Sequence, residues 1–261
     1  MSIISNLEIH AEVFNALSDP NDDLWKGQQE IIQHLTELQL FGIKQPFPLL
    51  LAAYEKLDIS TFAKITKICS VISFRYSVIC GLKTNVLEQV YSRAANNIVK
   101  GLSKNASDIF KDVTQLYVND EIFTNQFTLK TIKTTSKNKL VRYVIYSIEN
   151  HESGNGVIDF ESDNGTIEHI LPENPSEEWN TSFVKDTQLE FIYRLGNYTL
   201  LESKLNRDCE NKTITEKIVY YKNSKYHLSN QFEHTEWNPS KLKARQSKLA
   251  KTAKQIWRLD Y

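Results

Sequence analysis

Through the first half of the chain, apolar residues recur at three- and four-residue spacing. In STFAKITKICSVISFRY they fall at Phe62, Ile65, Cys69, Ile72 and Tyr76, behind Ser60 as a candidate N-cap, which is the spacing of one face of a helix. TNVLEQVYSRAANNIVK repeats the pattern with Leu87, Val90, Tyr91, Ala94 and Ile98, and QQEIIQHLTEL with Ile31, Leu35 and Leu38. In KQPFPLLLAAYEKL, Pro46 and Pro48 punctuate the start of a shorter apolar helix. KLVRYVIYSIEN closes this half with Leu140, Val144 and Ile148 in one stripe. The pattern predicts a helical bundle over residues 1–150, read as a scaffold.

Near NHESGNGVIDFESDNG the texture changes: turn residues cluster and apolar runs shorten. TIEHILP and NYTLL read as short strands. Ser203 then stands as a candidate N-cap for a helix beginning SKLNRDC, and a last helix, SKLKARQSKLAKTAKQIWRL, follows Pro239. No repeat of fixed period and no low-complexity linker interrupts the chain. The expected fold is mainly α, a helical bundle with a small strand-bearing insert, and residues 151–261 form the second domain.

Composition narrows the class. The 261 residues leave room for one large or two ordinary domains, and 41% hydrophobic with 24% charged residues is the balance of an ordinary globular protein. Cys69, Cys80 and Cys209 are too few and too scattered for a disulfide framework and form no C-x-x-C pair. A reducing cytoplasm is the expected compartment. MSIISNLEIHAEV lacks the basic and apolar regions of a secretion signal, and no apolar run approaches twenty residues, so no membrane is expected.

The candidate chemistry lies in GTIEHILPEN, where Glu168 and His169 interrupt an apolar run that Pro172 stops. Neighbours on a strand point to opposite faces, so both cannot face the same core. Downstream, RLGNYTLLESKLN carries Asn197 and Asn206, nine residues apart. Each residue alone has an ordinary explanation: a satisfied surface pair, a turn after Gly196, a helix start. Taken together, in the order strand, loop, strand, helix, they resemble the HNH or ββα-metal nuclease finger. IEHILPENP, RLGNYTLLESKLN and ARQSKLAKTAKQIW resemble more closely the C-terminal domain of GmrSD-type, modification-dependent restriction endonucleases. FGIKQPFPLLLAAYEKL and ISFRYSVICGL resemble the helical segment before the finger, so the similarity spans most of the chain.

The resemblance implies a metal-dependent DNA endonuclease of a phage-defence system. Neutral imidazole is suited to accept a proton from water near neutral pH, which makes His169 the general-base candidate. A hard divalent ion, Mg2+ or Mn2+, takes oxygen ligands, and Glu168 with Asn206 supplies two while leaving positions for water and phosphate. Asn197 is implied as the catalytic-site residue that braces the loop and the histidine. The general HNH pattern has Asp in place of Glu168 and often His in place of Asn206, and the 28 residues from His169 to Asn197 exceed a minimal finger. Trp179 within that loop reads as a packing anchor.

Other motifs fall away. KGQQE at residues 26–30 resembles the D-G-Q-Q-R motif of the nucleotide-using domain of these enzymes, but Lys26 and Glu30 replace its acid and its Arg. That domain is expected elsewhere, on a longer parent or a separate subunit. His10, His34, His151, His227 and His234 lack metal-ligand spacing. At about 100° per residue, the last helix places Leu242, Leu249, Ala253, Ile256 and Trp257 on one stripe bordered by Arg245. Lysines cover the rest, and residues 240–258 contain no acid. Lys241, Lys248, Lys251 and Lys254 are therefore candidates for DNA phosphate contact, against the ordinary reading of a solvated face. The alternative function is a non-catalytic helical module with a degenerate finger, binding DNA or a partner.

Overall fold

The computed structural model describes residues 3–261 and contains, among the described residues, thirteen α-helices and one two-stranded antiparallel sheet. The fold is mainly α, as the periodicity predicts. The chain divides into two compact units: the residues through Asn119 together with Trp257–Tyr261, and Asp120–Ile256. The division falls well before the change of texture near residue 150, and the helix Thr134–Ser153 lies within the second unit.

The first unit is built from amphipathic helices whose predicted stripes are its core. Ile31, Leu35 and Leu38 from Gln29–Phe41, Phe62, Ile65, Cys69 and Ile72 from Ile59–Ser73, and Leu87, Val90, Tyr91, Ala94 and Ile98 from Asn85–Val99 are all buried. Trp25 stacks on Phe62 at 5.6 Å. The helix expected from Ser60 is capped instead by Asp58, whose side chain accepts from the Thr61 N–H at 2.9 Å. A carboxylate three residues ahead of that donor has the N-cap offset, which Ser60 lacks. The helix passes into a π-helical turn at Phe74–Ile79, which contains the buried Tyr76 of the predicted stripe.

In the second unit, Leu140, Val144 and Ile148 face inward from Thr134–Ser153. Strand β1, Gly165–His169, pairs with β2, Tyr198–Glu202, placing Glu168 opposite Thr199 and His169 opposite Tyr198. Helices Ser203–Cys209 and Ile214–Lys222 follow β2, and Pro239–Ile256 ends the unit. Two glycines permit close approach at the strands: a Cβ on Gly165 collides with the Tyr226 and Tyr146 hydroxyls, and one on Gly196 with Gln246 and the Leu242 carbonyl of the last helix.

Three details differ from the sequence expectation. Pairing of β1 does not run to Pro172: the Ile170 N–H still donates in register to the Asn197 carbonyl at 2.9 Å, but the Leu171 N–H donates to the Asn197 side chain at 2.8 Å instead of to a strand backbone. Ser203 is the first helical residue, not the cap, and its hydroxyl donates to the Asn164 carbonyl at 3.0 Å. Arg245 does not border the apolar stripe but is buried within it, donating at 2.7 Å to each of the Gly196 and Tyr198 carbonyls. Burial lowers its pKa to about 10, which leaves it charged at neutral pH. Among the described residues, no helix is long and apolar enough to cross a membrane.

Candidate active site

Strand β1 delivers Glu168 and His169 to a cleft of about 300 Å³ whose walls also include Glu173, Asn206 and Glu210. Glu168 is 3% exposed. Its Oε1 accepts from Lys217 Nζ at 2.6 Å and from the Tyr221 hydroxyl at 2.9 Å, with the Cys209 thiol at 3.7 Å. All three donors stand on the helical side of the strand. Burial, reinforced by the Glu168 charge, pushes the Cys209 thiol up to about 12, so it remains a protonated donor. No described residue donates to Oε2, the oxygen left to the cleft.

Asn206 lies on Ser203–Cys209 and is tied back to β1: its Nδ2 donates to Thr166 Oγ1 at 2.8 Å and to the Ile167 carbonyl at 3.1 Å. With the amide nitrogen so committed, Oδ1 is its remaining polar atom. His169 is held on one edge by Thr134, whose Oγ1 is 3.2 Å from Nε2, and by Glu173, whose Oε1 is 3.3 Å from Nε2. Its ring packs edge-on against Tyr198 at 4.9 Å. Burial lowers its pKa to about 4, with the Glu173 charge opposing that shift and Lys217 adding to it. The imidazole is therefore neutral at pH 7 and able to accept a proton.

Asn197 is fully buried beneath the cleft, and both ends of its amide are engaged. Oδ1 accepts from the Leu171 N–H at 2.8 Å and Trp237 Nε1 at 3.1 Å, while Nδ2 donates to the Leu171 and Ile192 carbonyls at 2.8 and 2.9 Å. These bonds fix the chain just beyond His169. Trp179 is buried and donates from Nε1 to the Asn211 carbonyl at 3.3 Å, as a packing anchor does.

The profile of the C-terminal domain of GmrSD restriction endonucleases matches residues 117–252, nearly the span of the second compact unit. The chain belongs to this GmrSD C-terminal domain family. Comparison with curated proteins gives no match. Membership makes the chain a nuclease module of a restriction system, a family whose substrate is DNA.

In this GmrSD domain, Glu168, His169 and Asn206 share the cleft, while Asn197 stands beneath it. Lys241, Lys248 and Lys251 are exposed on Pro239–Ile256 and Lys254 is half-buried; none of them lines the cleft. Among the described residues, no three His, Cys, Asp or Glu side chains converge as a metal cage. The available donors are Glu168 Oε2 and Asn206 Oδ1, both oxygen. Two hard oxygens suit a small divalent ion that keeps several of its waters, so the residues present fit such an ion.

Several contributors are not evident in the sequence. Lys217 and Tyr221 are four apart and so share a helix face, but nothing in TITEKIVYY indicates that the lysine is buried. Glu173 lies four residues beyond His169, directly after Pro172, where its position is readable but its direction is not. Thr134 has no sequence signal linking it to His169.

Proposed function

We propose that this chain is a metal-dependent DNA endonuclease of the HNH type, in which His169 is the general base and Glu168 with Asn206 holds a divalent cation. The observation that carries this reading is that Glu168, His169 and Asn206 line one cleft at the end of a paired β1 and β2 followed by a helix. Family membership supports nuclease chemistry, and the donor set supports a hard cation.

Bound there, Mg2+ or Mn2+ would offset the negative charge that builds on the phosphate and on the leaving oxygen. The protein's own groups do the rest. His169 withdraws a proton from water, and its neutrality at pH 7 keeps the accepting lone pair available. Lys217 neutralises the inward oxygen of Glu168 and holds the His169 carbonyl at 2.9 Å, which sets the angle at which β1 presents both side chains. Asn197 fixes the following turn. The lysines of Pro239–Ile256 contact DNA phosphates, a sequence-independent grip. Discrimination of modified phage DNA, and its coupling to nucleotide use, belong to a cognate nucleotide-using domain on the same or another polypeptide.

One observation favours the alternative, non-catalytic module: the Glu168–Lys217 ion pair already neutralises the proposed metal ligand. Nicking of supercoiled plasmid with and without Mg2+ or Mn2+ separates the two. Divalent-dependent nicking that His169→Ala abolishes is expected. DNA binding without cleavage under every divalent ion, with the cognate domain and nucleotide present, would establish the alternative.

A further inference from the structure

The two ring nitrogens of His169 are made unequal by Thr134 and Glu173. The Thr134 hydroxyl has one proton, and it donates to Glu173 Oε1 at 2.9 Å. A carboxylate oxygen accepts and does not compete for that role. The same hydroxyl lies 3.2 Å from His169 Nε2, so it meets the ring through a lone pair. Glu173 Oε1, 3.3 Å from Nε2, is a second acceptor on the same edge. With acceptors alone at Nε2, the single proton of a neutral imidazole sits there and the free lone pair is on Nδ1.

Thr134 opens a first turn that non-helical dihedrals at Lys137 (φ −136°, ψ 40°) set off from the rest of Thr134–Ser153. Beyond that kink Arg142 donates from Nε to the Phe160 carbonyl at 3.0 Å and from its terminal nitrogens to the carbonyls of Gly165 and Asp163. The segment therefore meets β1 at both ends, through Arg142 at Gly165 and through Thr134 at His169. Rotation of the imidazole to exchange its nitrogens is opposed by the edges of Tyr198 at 4.9 Å and Tyr193 at 6.1 Å.

We propose that Thr134 and Glu173 are positioning residues that hold His169 in the Nε2–H tautomer and so assign the base to Nδ1; this rests on the reading of His169 as the base. In the step itself, a water O–H bond breaks and its proton passes to Nδ1. The freed electron pair forms the new P–O bond, while the bond from phosphorus to the leaving sugar oxygen breaks and that oxygen takes a proton from solvent. The imidazolium then carries protons on both nitrogens, with the Glu173 carboxylate adjacent to the charge it has gained.

Long-range proton–nitrogen NMR of the whole chain with 15N-labelled histidine, in the metal-free protein near neutral pH, reads the tautomer directly. A protonated Nε2 and a bare Nδ1 are expected at His169, assigned by loss of the signal in His169→Ala. In Thr134→Val/Glu173→Ala both tautomers should appear, and kcat for plasmid nicking should fall about 10²-fold at unchanged KM, the low end of what a positioned base contributes. Thr134→Ser, which keeps the hydroxyl, should retain the wild-type tautomer and rate. A wild-type Nδ1–H tautomer, or a double variant with unchanged tautomer and kcat, overturns the assignment. Full cleavage by His169→Ala defeats the base reading instead, which separates the two failures.

Discussion

Lys217 Nζ lies 2.6 Å from Glu168 Oε1, and the two side chains are 0% and 4% exposed. Both charges have left water, and each is costly to bury alone. The Tyr221 hydroxyl and the Cys209 thiol share the same oxygen, and the lysine reaches on to the His169 carbonyl. The cluster therefore joins helix Ile214–Lys222 to Glu168 and His169, the two residues of β1 proposed as metal ligand and general base. It turns one carboxylate oxygen inward and leaves the other for the cleft.

Lys217→Met should destabilise the second unit by roughly 3–5 kcal/mol, because an unpaired carboxylate stays buried. Lys217→Met/Glu168→Leu should recover most of that loss, since the uncompensated charge is removed, while activity stays absent. Urea unfolding of the three proteins gives the numbers. A Lys217→Met variant as stable as wild type would mean that the pair is not buried in solution.

Asn197→Ala strips partners from two groups of Leu171, the Trp237 indole N–H and the Ile192 carbonyl. At about 1–3 kcal/mol for each buried group left unsatisfied, and with partial relaxation, a net loss near 3 kcal/mol is expected. Activity should fall with it, because Leu171 is two residues from His169. Retention of wild-type stability, measured by thermal unfolding, would rule out the bracing role.

Helix stripes are legible because burial on one face imposes a period that survives in sequence: Leu140, Val144 and Ile148 show that period, and all three are buried. Glu168, His169 and Asn206, which line one cleft, stand out in the sequence together with Asn197 for a different reason, their order along the chain. What supports them does not. Lys217 and Thr134 act across 49 and 35 residues of chain, and no local pattern records which distant side chain will meet a strand. Arg245 escapes the helical wheel because a wheel treats every charge as a surface residue, whereas the Gly196 and Tyr198 carbonyls draw this one inside.

Stability should depend on pH through His169. Its folded pKa, lowered to about 4 mainly by burial, is below the ordinary value of 6.5. Between those values the unfolded chain binds the proton and the folded one does not, so protonation favours unfolding. The contribution is fully present above pH 6.5 and is lost as pH falls toward 4, to an extent of roughly 3 kcal/mol at most. Denaturation midpoints of wild type and His169→Gln across that range should diverge, with the wild type falling more steeply. Parallel curves would contradict the burial of a neutral ring.

The terminal helix offers a graded test of DNA binding. Taking Lys241 as reference, at about 100° per residue Lys248 lies some 20° away, Lys251 some 80° and Lys254 some 140°. Lys241, Lys248 and Lys251 are exposed while Lys254 is half-buried, so a duplex lying along the helix meets the first three more readily than the last. Removing one lysine–phosphate pair should reduce the slope of log affinity against log salt by about 0.9. Lys241→Gln/Lys248→Gln should therefore flatten the slope by nearly 2, and adding Lys251→Gln by somewhat less than a further unit. Lys254→Gln alone should change it little. The weakening should be equal for modified and unmodified duplexes of any sequence, because phosphates carry no base identity. Binding isotherms over a series of salt concentrations decide it: slopes identical to wild type would return the lysines to a solvated face, and a weakening confined to one DNA sequence would mean that this helix reads bases.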